Sequence, residues 1–206
     1  KMSGVSPAQI DHINTHGTGT KPNDVTETQA IQNTFGATAA SIPVTSIKGS
    51  LGHMLGAAGA VELIISALSL QRGIIPPTAN LENQDPECDL DVVTKPREAA
   101  LRTILSNSAG FGGCNAALII QNQPDLTKKS ENPSARVYIT GHSLISALGS
   151  DDEESAAALA ENESACFPLE RFVIPGIDEP PEVGEAPELE LDDFCVSQKP
   201  YLDDAS

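Results

Sequence analysis

The stretch GAAGAVELIISALSL, residues 56–70, constrains this chain most, because it predicts a helix that is apolar on nearly every face. Such a helix, from about Ala57 to Gln71, must be covered all round. It carries Glu62 and reads as too short to cross a bilayer, so it belongs inside a layered protein. Gly73 stops it, and Pro76 and Pro77 keep it stopped. Just upstream, IPVTSI (42–47) has the β-branched density of a buried strand. Between strand and helix the chain places Lys48 and His53 in a glycine-rich loop.

The flanking segments repeat this alternation. IDHINTHGTGT predicts a strand over Ile10 to Asn14 running into a Gly/Thr loop. KPNDVTETQAIQNTFG follows as a helix capped by Asn23 or Asp24, with Glu27 in its first turn and Gly36 at its end. PTANLENQDPECDLDVV reads as an irregular surface loop. LRTILSNSAGFGGCNAALIIQ reads as a hairpin with a fully apolar second strand. The order strand, helix, strand, helix, hairpin indicates an α/β layer.

With 206 residues there is room for one or two small domains, and the division shows in the charge. Residues 1–125 carry 7 basic and 11 acidic side chains, whereas residues 126–206 carry 5 and 18. The first part reads as globular, built on aliphatic side chains because only 3% of residues are aromatic. The second is an acidic segment with a weaker core. Residues 122–135, polar and with two prolines, read as a linker. Beyond it the sequence predicts a strand at 136–140, a helix in DDEESAAALAENES with an acidic first turn, and a loosely held Pro/Glu-rich excursion from about 173. No basic patch offers itself to nucleic acid. The four cysteines, Cys88, Cys114, Cys166 and Cys195, form no C-x-x-C pair and read as free thiols of a cytoplasmic protein without a membrane partner.

His16 and His53 each follow a predicted strand end beside glycines. Loops at the carboxyl ends of strands in an α/β layer converge on one crevice. Two histidines there could bind metal, move protons or donate to an oxyanion. A metal would want a third ligand of the same kind at short spacing, and none is evident. GSLGHMLGAAG fits neither phosphate-loop template.

Together, HINTHGTGTKPNDVTETQAI, SIKGSLGHMLGAAGAVE, PPTANL…DPECDLD and NSAGFGGCNAALI resemble the carboxyl-terminal half of a β-ketoacyl synthase, in order, over about residues 3–121. TKPND and PPTANL…PECDLD look most like type II polyketide ketosynthases or their fatty-acid cousins. The resemblance implies an incomplete, thiolase-like layered α/β fold, with residues 1–121 as the carboxyl-terminal half. Residues 136–206 resemble the start of a second, chain-length-factor-like amino-terminal half, through RVYITGHSLISALGSD, ENESACFPLERF and QKPYLDDAS. The implied reaction condenses an acyl with a malonyl thioester, with loss of CO₂.

By the same resemblance His16, His53 and Lys48 are catalytic, and Glu62 is the acid that supports Lys48. A purely structural ion pair between Lys48 and Glu62 is an equal alternative. Thr18 and Thr20 meet the phosphopantetheine arm of an acyl carrier protein, Phe111 gates, and the chain itself holds no cofactor and no metal. The implied partners are that carrier and a second synthase subunit, in a homodimer or a ketosynthase/chain-length-factor heterodimer. The nucleophilic cysteine is expected ahead of residue 1, so the chain alone is expected to be inactive. Cys166 reads as an ordinary loop residue and Cys114 as a packed small side chain, and Ala109 stands where fatty-acid relatives carry phenylalanine. A non-catalytic scaffold piece and a coenzyme A-dependent thiolase relative are the other readings.

Overall fold

The computed structural model describes residues 3–122, 139–170 and 179–185. The first stretch contains β1 (His12–Asn14), α1 (Lys21–Phe35), β2 (Pro43–Thr45), α2 (Lys48–Leu51) and α3 (Ala58–Arg72). It continues with β3 (Ile74–Ile75), β4 (Asp91–Val92), β5 (Arg97–Glu98), β6 (Thr103–Ala109) and β7 (Asn115–Gln121). After it come α4 (Asp152–Ala160), β8 (Cys166–Pro168) and β9 (Glu182–Gly184).

Five strands make one sheet in the order β4-β2-β1-β6-β7. The first four are parallel, and β7 returns antiparallel on β6 through the expected hairpin, from Thr103↔Gln121 to Ala109↔Asn115. The pleat sends alternate residues to opposite faces. Ile13 and Val44 pack with Ile31 and Phe35 of α1, and Leu105 and Ile119 join them. Ile104 and Ile120 point the other way, into a cluster with Leu70 of α3. The result is the layered α/β fold the sequence implies.

α3 is buried on more than its sheet side. Val61, Ile65 and Leu68 share a third cluster with Ile47, Leu51 and, from the acidic segment, Leu144, Ala156 and Leu159. Burying side chains such as Leu144 and Leu159 stabilises by about 1.5–3 kcal/mol each. The helix is apolar all round because it has the sheet on one side and residues 139–170 on another. The helical stretch Leu55–Arg72 is 18 residues and passes the length and composition test for a membrane span, which corrects the expectation that it is too short to cross a bilayer. Its apolar side chains are instead used in these two clusters.

Several boundaries differ from the sequence reading. α1 is entered from Thr20, with Pro22 in its first turn, so neither Asn23 nor Asp24 caps it. Proline at a helix start needs no amide partner and presets φ, which makes it the stronger signal. Gly36 ends the helix at φ 57° as expected. The loop 78–92 is less irregular than it reads, because Asp91–Val92 adds a parallel edge strand beside Pro43–Val44. The apolar strand β7 lies at a sheet edge with Ala116, Ala117 and Leu118 exposed. α4 forms where expected, with Asp151 accepting from the amides of Glu153 and Glu154 at 2.8 and 2.9 Å. Of the excursion expected from about 173, residues 173–178 and 186–206 lie outside the described residues, and within the rest Glu182–Gly184 pairs with Cys166–Pro168. Of the strand expected at 136–140, residues 136–138 lie outside the described residues and 139–140 are not extended into a strand. The linker, apart from Asn122, also lies outside them.

Candidate active site

The parallel strands end at one edge of the sheet, and the loops after β1 and β2 meet there. His16 lies two residues beyond β1, and its ring meets that of His53 edge to face, with centroids 5.5 Å apart and planes at 82°. His53 does not directly follow a strand. A single helical turn, α2, intervenes, and Gly52 at φ 76° turns the chain out of it. The Nδ1 of His53 accepts the Leu55 amide at 3.1 Å. That contact assigns the proton of the neutral ring to Nε2 and leaves Nε2–H free to donate. Burial, and next the charge of Lys48, hold His16 below the ordinary histidine range, against an opposing pull from Glu27. The shift favours the neutral imidazole of His16.

Lys48 is the first residue of α2 and is buried. Its Nζ donates to the carbonyl of His16 at 2.5 Å and to Oε1 of Glu62. Glu62 is 1% exposed on α3, and its second oxygen accepts from Ser108 of β6 at 3.4 Å. Burial pushes the Glu62 carboxyl up, and the hydrogen bond from Lys48 works against that rise. The pair expected from sequence therefore exists, and it ties the β1 loop to the interior helix. This geometry holds His16 in place through its backbone.

Thr18 and Thr20 share a hydroxyl–hydroxyl hydrogen bond at 2.8 Å across Gly19. A cleft of about 600 Å³ opens beside them, lined by Thr18, Lys48 and His53, and it falls in the usual size range of small-molecule sites. Phe111 stands fully exposed at the hairpin tip and does not line this cleft. Cys114, expected as a packed residue, is exposed at the same tip. Cys166 begins β8 rather than sitting in a loop, and its thiol faces the carbonyls of Gly49 and Ser50 at 4.0 Å. Cys88, Cys114 and Cys166 are all free thiols, and Cys195 lies outside the described residues. Among the described residues no group of three metal-ligating side chains occurs.

A family profile described as "Beta-ketoacyl synthase, C-terminal domain" matches residues 1–82. The likeness to whole proteins runs further along the chain. The chain is 49% identical over 119 residues to "3-oxoacyl-[acyl-carrier-protein] synthase 2" of Coxiella burnetii, covering 57% of this chain and 29% of that one. It is 47% identical over 120 residues to "Oxytetracycline polyketide putative beta-ketoacyl synthase 1" of Streptomyces rimosus, covering 58% and 28%. Among solved structures, "The ishigamide ketosynthase/chain length factor" superposes with a TM-score of 0.56 at 43% identity, covering 59% of this chain and 30% of that one. The chain thus spans less than a third of the length of these relatives.

The site uses residues that motif reading passes over. Glu27 reads as an ordinary first-turn acid, yet its carboxylate accepts the backbone amides of His16 and Gly17 at 2.8 and 2.9 Å. It also accepts from Asn107 of β6 at 2.7 Å. The histidine loop is thereby clamped from one side by Glu27 and from the other by Lys48. An acid eleven residues after a His-Gly pair is the only signal in the sequence, and it needs the β1–α1 geometry to be recognised. His12 plays no part in the cleft. It is buried in β1, bonded through Nε2 to Thr45 at 2.8 Å, and burial holds it down to about 3.

Proposed function

We propose that the chain supplies the two-histidine part of a β-ketoacyl-[acyl carrier protein] synthase, which joins acyl and malonyl thioesters by decarboxylative condensation in polyketide or fatty-acid synthesis. The observation that carries this reading is the His16–His53 pair at the strand ends, with one ring neutral through burial and the other presenting Nε2–H.

In the reaction, the malonyl carboxylate leaves as CO₂ and its bonding pair becomes an enolate. The enolate carbon attacks the acyl thioester carbonyl, and the C–S bond to the enzyme cysteine breaks, returning that sulfur as a thiolate. Negative charge develops first on the malonyl thioester oxygen. Neutral imidazole N–H groups fixed at that oxygen stabilise the charge without having to reorganise. His16 and His53 take this role, and Lys48 positions His16 through its carbonyl. Glu62 supports Lys48. Thr18 and Thr20 offer hydroxyls to the phosphopantetheine arm that the carrier brings, and Phe111 moves on its glycine-flanked tip as a gate. The acyl-bearing cysteine is assigned to the part of a complete synthase outside this stretch, so the isolated chain does not condense. A cytoplasmic enzyme is the reading that goes with carrier-bound substrates.

The acyl carrier protein is the substrate-bearing partner. The resemblance of residues 136–206 to the opening of a chain-length factor favours a ketosynthase/chain-length-factor pair over a homodimer.

In the complete synthase, His53→Ala lowers malonyl decarboxylation by about 10²-fold or more, the scale of losing one oxyanion donor. Unchanged decarboxylation in a folded variant refutes the assignment. The isolated chain takes up no label from a radiolabelled acyl-carrier thioester, and labelling at Cys166 overturns the placement of the nucleophile.

A further inference from the structure

The single turn α2 begins at Lys48 and delivers the chain to His53. A turn of four residues cannot satisfy its own carbonyls, so its end depends on what lies against it. The Lys48 carbonyl accepts from Gly52, the residue that closes the turn, at 2.9 Å. The next two carbonyls are met from outside. Gly49 accepts from the Asn80 side chain at 2.9 Å and from the Ser164 hydroxyl at 3.3 Å, and Asn80 also donates to Ser164 at 3.1 Å. Ser50 accepts the Ala165 amide at 3.0 Å. Against Leu51 the backbone of Gly184 comes so close that an added Cβ would stand 2.6 Å from the Leu51 oxygen. Gly52, which turns the chain toward His53 at φ 76°, faces the Gly184 nitrogen as well.

Ser164, Ala165 and Gly184 all lie beyond the linker, in and beside the β8–β9 hairpin. The same segment is anchored elsewhere, by Leu144, Ala156 and Leu159 on α3. The hairpin contact can therefore be altered while the anchor stays. What the turn controls is the state of His53. Its Nδ1 accepts the Leu55 amide, which decides the nitrogen that carries the proton. Leu55 sits at φ 49° although it is 78% exposed, a conformation that a leucine keeps only when the backbone around it is held.

We propose that the segment after the linker is a positioning element for His53, with Ser164, Ala165 and Gly184 holding the carbonyl end of α2 and, through it, the imidazole ring. The synthase reading supplies only what His53 does, and the coupling stands on the contacts themselves. Because this segment resembles the opening of an amino-terminal half, the histidine site of one unit takes support from the start of the next.

The test uses the full 206-residue chain labelled with nitrogen-15. Long-range proton–nitrogen correlation at about pH 8, above the ordinary histidine range of about 6.5, reads the ring nitrogens, and hydrogen exchange reads the Leu55 amide. In the parent, His53 shows a bare Nδ1 and a protonated Nε2. In Gly184→Ala the two resonances draw together as the tautomers mix, and the Leu55 amide exchanges about tenfold faster, the factor for one lost hydrogen bond. Ser164→Ala moves the resonances in the same direction, and Ser164→Thr, which keeps the hydroxyl, restores the parent pattern. His12, bonded to Thr45 within the sheet, stays unmoved throughout and reports an intact fold. If Gly184→Ala lowers the Tm but leaves His53 and Leu55 as in the parent, the segment is only a cover and the proposal falls. If Gly184→Ala does not fold, the Ser164 pair decides, and identical His53 spectra in the alanine and threonine variants overturn it. Unchanged decarboxylation in His53→Ala of the complete synthase would refute the synthase reading and leave this coupling standing.

Discussion

Replacing Lys48 with methionine isolates the ion pair that ties the histidine loop to the interior. The side chain keeps most of its length and loses its charge, leaving Glu62, 1% exposed, without its cation. Removing one partner of a buried pair costs about 3–5 kcal/mol, because the remaining charge is uncompensated. A domain of this kind has only about 5–15 kcal/mol to lose. The double variant Lys48→Met/Glu62→Leu should regain most of that loss, since an apolar pair of similar volume is often neutral or better. Urea unfolding of the full chain, followed by far-UV circular dichroism, measures all three proteins.

The pH dependence gives the sign. Burial already raises the Glu62 carboxyl, and losing Lys48 removes the group opposing that rise. A carboxyl whose folded pKa lies above its unfolded value of about 4.3 contributes stability in full below that value and loses it as pH rises through the folded pKa. The single variant should therefore be more stable at pH 5 than at pH 7, relative to the parent. A single variant within about 1 kcal/mol of the parent at pH 7, or a double variant no better than the single, refutes the reasoning.

Other substitutions probe the same loops. Gly17→Ala forces a side chain onto φ 40° and drives its Cβ to 2.5 Å from Cβ of Ser46, so it should cost about 3 kcal/mol or leave the chain insoluble, read by thermal melting. Glu27→Gln removes the charge that raises His16, so the His16 titration should move still lower, followed by the imidazole proton resonances in NMR. A base with a depressed folded pKa contributes stability above its unfolded value of about 6.5 and loses it as pH falls through the folded pKa, so this variant should also hold His16 neutral to lower pH. Asp151→Ala deletes the two cap hydrogen bonds of α4 and should cost about 1 kcal/mol in the same urea assay.

Much of the fold is legible in the sequence because its signals are local. The interior helix, its stop at Gly73, the hairpin on either side of Gly110–Gly113 and the acid-led helix α4 follow from residue spacing alone. Elements decided by distant partners are not. Asp91–Val92 becomes a strand only because β2 offers an open edge, and Glu182–Gly184 because Cys166–Pro168 does. The site divides in the same way. His16, Lys48 and His53 stand out beside glycines in recognisable motifs, and Lys48 and Glu62 suggest each other because each is an isolated charge in apolar surroundings. Glu27 lies on a polar helix where an acid attracts no notice, and its role depends on Asn107, eighty positions away. Phe111 carries a motif position without a contact in the cleft, since side-chain placement at a hairpin tip depends on what packs over it.

The shared cluster around α3 changes what the linker divides. Composition cuts the chain near residue 122, and an expression boundary chosen by charge would fall there. Yet Leu144, Ala156 and Leu159 sit on the outer side of the interior helix, and the Ala165 amide donates to the Ser50 carbonyl at 3.0 Å. Ser50 lies two residues from Lys48 on the same helical turn. Truncation at 122 would therefore strip a greasy face next to the lysine anchor and leave a product prone to aggregate. For anyone expressing the first segment, residues 139–170 act as a cover for this face, and their removal lowers yield before it touches catalysis.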